Sequence, residues 1–103
     1  MDIKAFNEEY GIENWFEETF FHGRYSIKEI EDIVSIKFEK PIKAEDTTIT
    51  DEPNGDRTDY RLTLALVGDE DEEYDEYYDV DIYYLKTRNK GEIYVTEINV
   101  DVY

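Results

Sequence analysis

Tyr77-Tyr78-Asp79-Val80-Asp81-Ile82-Tyr83-Tyr84 places an apolar or aromatic residue at each even position, with carboxylates and tyrosines at the odd ones. A side-chain period of two marks a strand with one face buried and the other open. Tyr78, Val80, Ile82 and Tyr84 are therefore assigned to a core, and Tyr77, Asp79, Asp81 and Tyr83 to the opposite face. Upstream, Tyr60, Leu62, Leu64 and Leu66 repeat the pattern, behind the turn signal Pro53-Asn54-Gly55-Asp56 and the β-prone Thr47 to Thr50. That arrangement predicts a hairpin. Downstream, Arg88-Asn89-Lys90-Gly91 turns the chain into a last strand, Glu92 to Tyr103. Ile93 and Val95 share one parity while Ile98, Val100 and Val102 share the other, so a β-bulge near Thr96-Glu97 is needed to keep one buried face.

The N-terminal part changes period. Residues 2 to 22 read as helical: Asp2 is an N-cap, Ile3, Phe6 and Tyr10 recur at helical spacing, and Gly11 ends the first segment. Ile12, Trp15, Phe16, Phe20 and Phe21 then gather on one side of a second helix, with Glu13, Glu17 and Glu18 on the other, and Gly23 closes it. Ser26 and Glu29 have capping-box spacing, so Ile27, Ile30 and Ile33 predict a further helical turn or two. From Val34 the alternation of Val34, Ile36 and Phe38 against Ser35, Lys37 and Glu39 predicts a half-buried strand ending at Pro41. The expected fold class is α+β: two or three short N-terminal helices packed on a four- or five-stranded, mainly antiparallel sheet, with residues 1–103 as a single domain.

The chain has 103 residues, with 28 Asp+Glu against 11 Lys+Arg, for a formal net charge of −17. Such a chain is repelled by nucleic-acid phosphates and anionic membranes unless its charge is sharply segregated, so its natural complement is a basic partner. Leu, Ile, Val and Phe make up 26 of the 103 residues. This exceeds the ~20% below which highly charged chains stay unfolded. There is no cysteine, hence no disulfide and no thiolate site. No run approaches the roughly 20 apolar residues of a membrane span or the pattern of a signal peptide. A soluble, cytoplasmic protein is expected.

Asp69 to Asp81 dominates the chemistry: nine carboxylates, no cation, and tyrosines at 74, 77 and 78. A solvated loop accounts for the charge but not for the interleaved tyrosines, a residue type enriched at interfaces. The expected partner-binding residues are Asp69, Glu70, Asp71, Glu72, Glu73, Tyr74, Asp75, Glu76, Tyr77, Asp79 and Asp81. Extended, 13 residues span about 43 Å, or one carboxylate per roughly 5 Å. That spacing is of the same order as the phosphate spacing along one nucleic-acid strand. Glu8, Glu9, Glu13, Glu17 and Glu18, and Asp51, Glu52, Asp56 and Asp59, are further acids that extend the surface if they share its face.

Other uses of these residues fit less well. Read as an EF-hand loop from Asp69, the sixth position is Tyr74 instead of glycine and the twelfth is Val80 instead of glutamate. No metal site and no cofactor is expected. His22 is the sole imidazole and sits beside Phe20 and Phe21; Ser26 reads as a cap and Ser35 as a strand surface residue. No Ser-His-Asp constellation assembles from them, so no catalytic residue is assigned and no enzyme is expected. Arg24, Lys28, Lys37, Lys40 and Lys43, and Lys86, Arg88 and Lys90 in the last hairpin, read as intramolecular counter-charges.

In size, acidity, mixing of Tyr with Asp and Glu, and helix-plus-sheet pattern, the chain resembles the small acidic DNA-mimic inhibitors of phages and mobile elements, type II anti-CRISPR proteins among them. The likeness is one of composition and style, is densest over residues 69 to 81, and rests on no family motif. The resemblance implies a stoichiometric inhibitor docking in the nucleic-acid site of a host nuclease, such as a Cas9-type CRISPR effector with its positively charged channel. Its partner would be a basic nucleic-acid-binding protein, with no direct nucleic acid and no membrane contact. An immunity protein or antitoxin against a basic toxin, and an acidic structural domain without inhibitory role, share the same electrostatics and stay open.

Overall fold

Asp2 opens helix α1 (Ile3–Glu9) as expected, its Oδ1 accepting from the Ala5 N–H at 3.1 Å. Gly11, at φ +99°, reverses the chain into α2 (Ile12–Phe20). A glycine has no side chain with which to cap, and Asn7 Oδ1 takes that role by accepting from the Ile12 N–H at 3.0 Å. The computed structural model describes residues 2–50, 58–67 and 77–102. Ile12, Phe16 and Phe20 form the buried stripe of α2. Phe21, read from sequence as part of that stripe, lies past the helix end and is 45% exposed.

A three-residue strand, β1 (Arg24–Ser26), follows Gly23 and was not legible in the sequence. Ser26 then caps α3 (Ile27–Phe38) through the expected box: its Oγ accepts from the Glu29 N–H at 3.1 Å, and the Glu29 carboxylate accepts from the Ser26 N–H at 3.1 Å. The helix runs on to Phe38, which corrects the expected strand over Val34 to Phe38. Ile30, Val34 and Phe38 are wholly buried at a spacing of four, whereas Ile36 is 79% exposed. The apparent alternation of 34, 36 and 38 is a helical stripe plus one surface isoleucine. Ser35 is likewise helical, its Oγ accepting from the Ile42 N–H at 2.9 Å and so tying the following connection to the helix.

Glu39 ends α3 in the left-handed region at φ 58°. The Lys40 N–H donates to the Ser35 carbonyl and the Glu39 N–H to the Ile36 carbonyl, the pair of bonds of a Schellman motif. A side chain with a Cβ costs about 1–2 kcal/mol in that conformation. The N-terminal amino group holds the Glu39 carboxylate below the usual carboxylate range, so Glu39→Gly is expected to raise the urea midpoint at high salt, where that attraction is screened and relief of the backbone strain dominates. An unchanged or lower midpoint would show that the Glu39 side chain compensates the strain.

Strands β2 (Ala44–Thr50), β3 (Thr58–Val67), β4 (Tyr77–Lys86) and β5 (Glu92–Val102) complete a five-stranded antiparallel sheet of order β1-β5-β4-β3-β2. The expected hairpin is the β2–β3 pair; its turn, Pro53 to Asp56, lies outside the described residues, as does Tyr103. The expected bulge is present: Tyr83 faces Glu97 and Tyr84 faces Val95, leaving Thr96 as the extra residue, its Oγ1 donating to the Tyr83 carbonyl at 3.2 Å. The slip keeps Ile93, Val95 and Ile98 buried on one face.

That face meets the helices. Ile3, Phe16, Phe20, Val34 and Phe38 join Leu62, Leu64, Leu66, Tyr78, Val80 and Ile82 in one cluster of buried residues. Each large side chain buried there contributes about 1.5–3 kcal/mol of transfer free energy. Among the described residues no helix is long and apolar enough to cross a membrane.

Candidate functional site

All three helices join the core on one side of the sheet, and among the described residues no element packs on the other side. Tyr77, Asp79, Asp81 and Tyr83 alternate on it along β4, as the period of two requires, while Tyr78 between them is wholly buried and belongs to the core. Successive outward carboxylates, at 79 and 81, stand about 6.7 Å apart along the strand.

Register extends the ladder sideways. Asp79 lies between Ala65 and Asp101, Asp81 between Thr63 and Asn99, and Tyr83 between Arg61 and Glu97. Asp101 and Glu97 were not singled out in the sequence, although the outward parity of β5 beyond the bulge was the signal for both. The carboxylates differ in freedom. Asp81 Oδ1 accepts from Thr63 Oγ1 at 2.8 Å and lies 4.0 Å from Arg61 Nε, and its side chain is 15% exposed. Asp81 is therefore largely committed within the sheet. Asp101 is exposed, Asp79 is half-buried, and Tyr77 is 46% exposed.

Asp79 and Asp101 face one another directly across β4 and β5. Like charges opposite one another on adjacent strands are destabilising by about 0.2–1 kcal/mol. Asp79→Asn is expected to raise the unfolding free energy by about 0.2–1 kcal/mol, read as a higher urea midpoint, with a smaller gain at high salt. A lower midpoint at all ionic strengths would mean that Asp79 stabilises the sheet, and the face would lose its claim to be held against its own stability.

Asp69 to Glu76, Tyr74 included, lie outside the described residues, as do Asp51, Glu52 and Asp56. Asp59 is in β3, opposite Ile49. Glu8, Glu9, Glu13, Glu17 and Glu18 stand on or between α1 and α2, in the layer on the opposite side of the sheet from the β4 ladder. They do not extend it.

On the helix side, Tyr84 Oη donates to Asp46 Oδ1 at 2.5 Å, in a cleft of about 340 Å³ between Ile27 and the β4–β5 turn. Burial, reinforced by the Asp46 carboxylate, holds the Tyr84 phenol well above the ordinary tyrosine value of 10.0. A raised folded value stabilises fully below the unfolded pKa and is lost as pH rises through the folded one. The native protein is therefore expected to lose stability above pH ~10 more steeply than Tyr84→Phe, in urea midpoints taken from pH 8 to 11. Parallel curves for the two proteins would remove Tyr84 from the alkaline transition.

Among the described residues no group of three or more His, Asp or Glu side chains is arranged to hold a metal ion. His22 packs in a surface stack, its ring 4.0 Å from that of Phe21 and 6.0 Å from that of Tyr94, and its backbone N–H donates to the Val95 carbonyl at 3.1 Å. These contacts hold it at φ 61°. Compared with known proteins, the chain matches no family model, no curated protein and no solved structure.

Proposed function

We propose that this protein is an acidic DNA mimic, a stoichiometric inhibitor whose open sheet face and adjoining acidic run occupy the positively charged nucleic-acid site of another protein. The single observation that carries this reading is the face of β4 that no described element covers, where Tyr77, Asp79 and Tyr83 stand beside Asp101 and Glu97. This face joins, at Tyr77, a segment with seven carboxylates in the eight residues Asp69 to Glu76. Carboxylates at strand spacing engage the arginines and lysines of a groove built for phosphates, through charge-assisted hydrogen bonds. Exposed Tyr77 and half-buried Tyr83 on the same face supply rigid, partly apolar contact area. The target class is a basic nuclease of a bacterial host, with a Cas9-type effector as the leading case, and the site of action is the cytoplasm. The protein acts by binding and carries out no chemistry.

The test is a competition on purified, guide-loaded Cas9-type nucleases, with fluorescence anisotropy of a labelled target duplex as readout. The apparent Kd for the duplex should rise in proportion to added protein, without loss of the saturating signal. Inhibition of cleavage with duplex binding unchanged would instead assign an exosite inhibitor of the immunity-protein kind.

A further inference from the structure

The opposite end of β4 has the opposite charge. Arg24 of β1 and Lys86, Arg88 and Lys90 at the β4–β5 turn are all exposed and ring one end of the sheet. The expected role of these bases as counter-charges shows no direct ion pair among the described residues. Among the described residues the side chains of Arg24, Arg88 and Lys90 make no ion pair or hydrogen bond, and Lys86 Nζ lies over the Tyr60 ring at 4.8 Å. The neighbouring carboxylates are already engaged. Glu29 accepts from the Ser26 N–H in the helix cap, and Glu92 accepts from Thr87 Oγ1 at 2.9 Å and from Asn89 Nδ2 at 3.4 Å.

The turn itself is fixed. The Thr87 N–H donates to the Glu92 carbonyl at 3.3 Å, the Glu92 N–H donates to the Asn89 carbonyl at 3.0 Å, and Gly91 supplies φ +83°. Beside it lies a cleft of about 520 Å³ where Arg24, Lys86 and Arg88 meet Asn89 and Tyr94, with Glu92 as the one carboxylate among the described residues that line it.

We propose that this cleft binds phosphoryl oxyanions and takes a small oligophosphate as its ligand. Two guanidinium forks match phosphate oxygens in bidentate geometry, which an ammonium alone does not. The volume exceeds the needs of one anion, and a polyvalent anion gains most from three cations close together. Tyr77, the first described residue after the acidic run, is about 30 Å along β4 from Lys86. That separation is roughly three Debye lengths at 0.1 M salt. The site is independent of the proposed mimic face, and either stands without the other.

The experiment is an amide NMR titration of the full chain with sodium pyrophosphate at constant ionic strength. Saturable shifts are expected at Arg24, at residues 86–92 and at Tyr94, with none along Tyr77 to Asp81. Arg88→Gln should weaken the apparent Kd by about tenfold with an unchanged thermal midpoint, the loss of one charge-assisted bidentate contact. Shifts that never saturate, or an Arg88→Gln protein that binds like the parent, would overturn the proposal. A second arm uses a six-nucleotide single strand at equal phosphate. Saturation by the strand alone would assign the cleft to a nucleic-acid backbone and overturn the small-ligand site. Shifts that follow protein concentration without any added anion would assign it to a second copy of the chain, with the same consequence.

Discussion

Phe38→Ala is expected to lower the unfolding free energy by about 3–5 kcal/mol, a large part of the total for a domain of this size. Phe38 is wholly buried, and its ring lies 5.6 Å from Phe6, 5.4 Å from Trp15 and 6.2 Å from Phe16. It thus links α1, α2 and α3, and truncation leaves a cavity bordered by stiff rings that close poorly. The control is Ile36→Ala, two residues away and 79% exposed, which should cost no more than about 0.5 kcal/mol. Urea denaturation of the two variants decides the point. Equal losses would put Ile36 and Phe38 on one buried face and restore a strand where the structure has a helix.

The second large effect is kinetic. Converting Asp71, Glu72, Asp75 and Glu76 to Asn or Gln removes four negative charges from the run while leaving the ladder residues intact. Electrostatic steering is worth about 10–10³-fold in association rate. The four-site variant is therefore expected to bind a basic target about 10–100-fold more slowly at low salt, with little change in thermal midpoint. Salt should act in opposite directions on the parent: moderate salt stabilises the fold by screening crowded carboxylates and weakens the complex. Stopped-flow association rates that match the parent would exclude steering by this run, and salt-independence of both fold and complex would make the clustering energetically irrelevant.

Where one side-chain period dominated, the sequence was legible. The alternation of Tyr78, Val80, Ile82 and Tyr84 assigned the buried face of β4, and the parity change between Val95 and Ile98 located the bulge at Thr96. Ser26 and Glu29 gave the start of α3 through a local hydrogen-bond pattern. Its end was misread because Val34, Ile36 and Phe38 satisfy two periods at once, and only tertiary burial shows that Ile36 faces solvent. Three-residue β1 carries too few side chains to show any period; its pairing with Glu92 to Tyr94 is a long-range contact. The same limit applies to function. Tyr77 and Asp79 were placed on the open face by parity, yet the commitment of Asp81 to Thr63 and the confrontation of Asp79 with Asp101 depend on register between strands. That Arg88 and Lys90 at the β4–β5 turn pair with no described acid was invisible for a related reason: whether a base finds an acid depends on which acids the caps and turns have already taken.

The mimic reading is tested most directly by capture with the immobilised protein from nuclease-treated bacterial lysate, with and without excess duplex DNA. Retention of a basic nucleic-acid-binding protein that duplex DNA releases is the expected result. Retention that excess DNA leaves intact, or no retention at all, would contradict it.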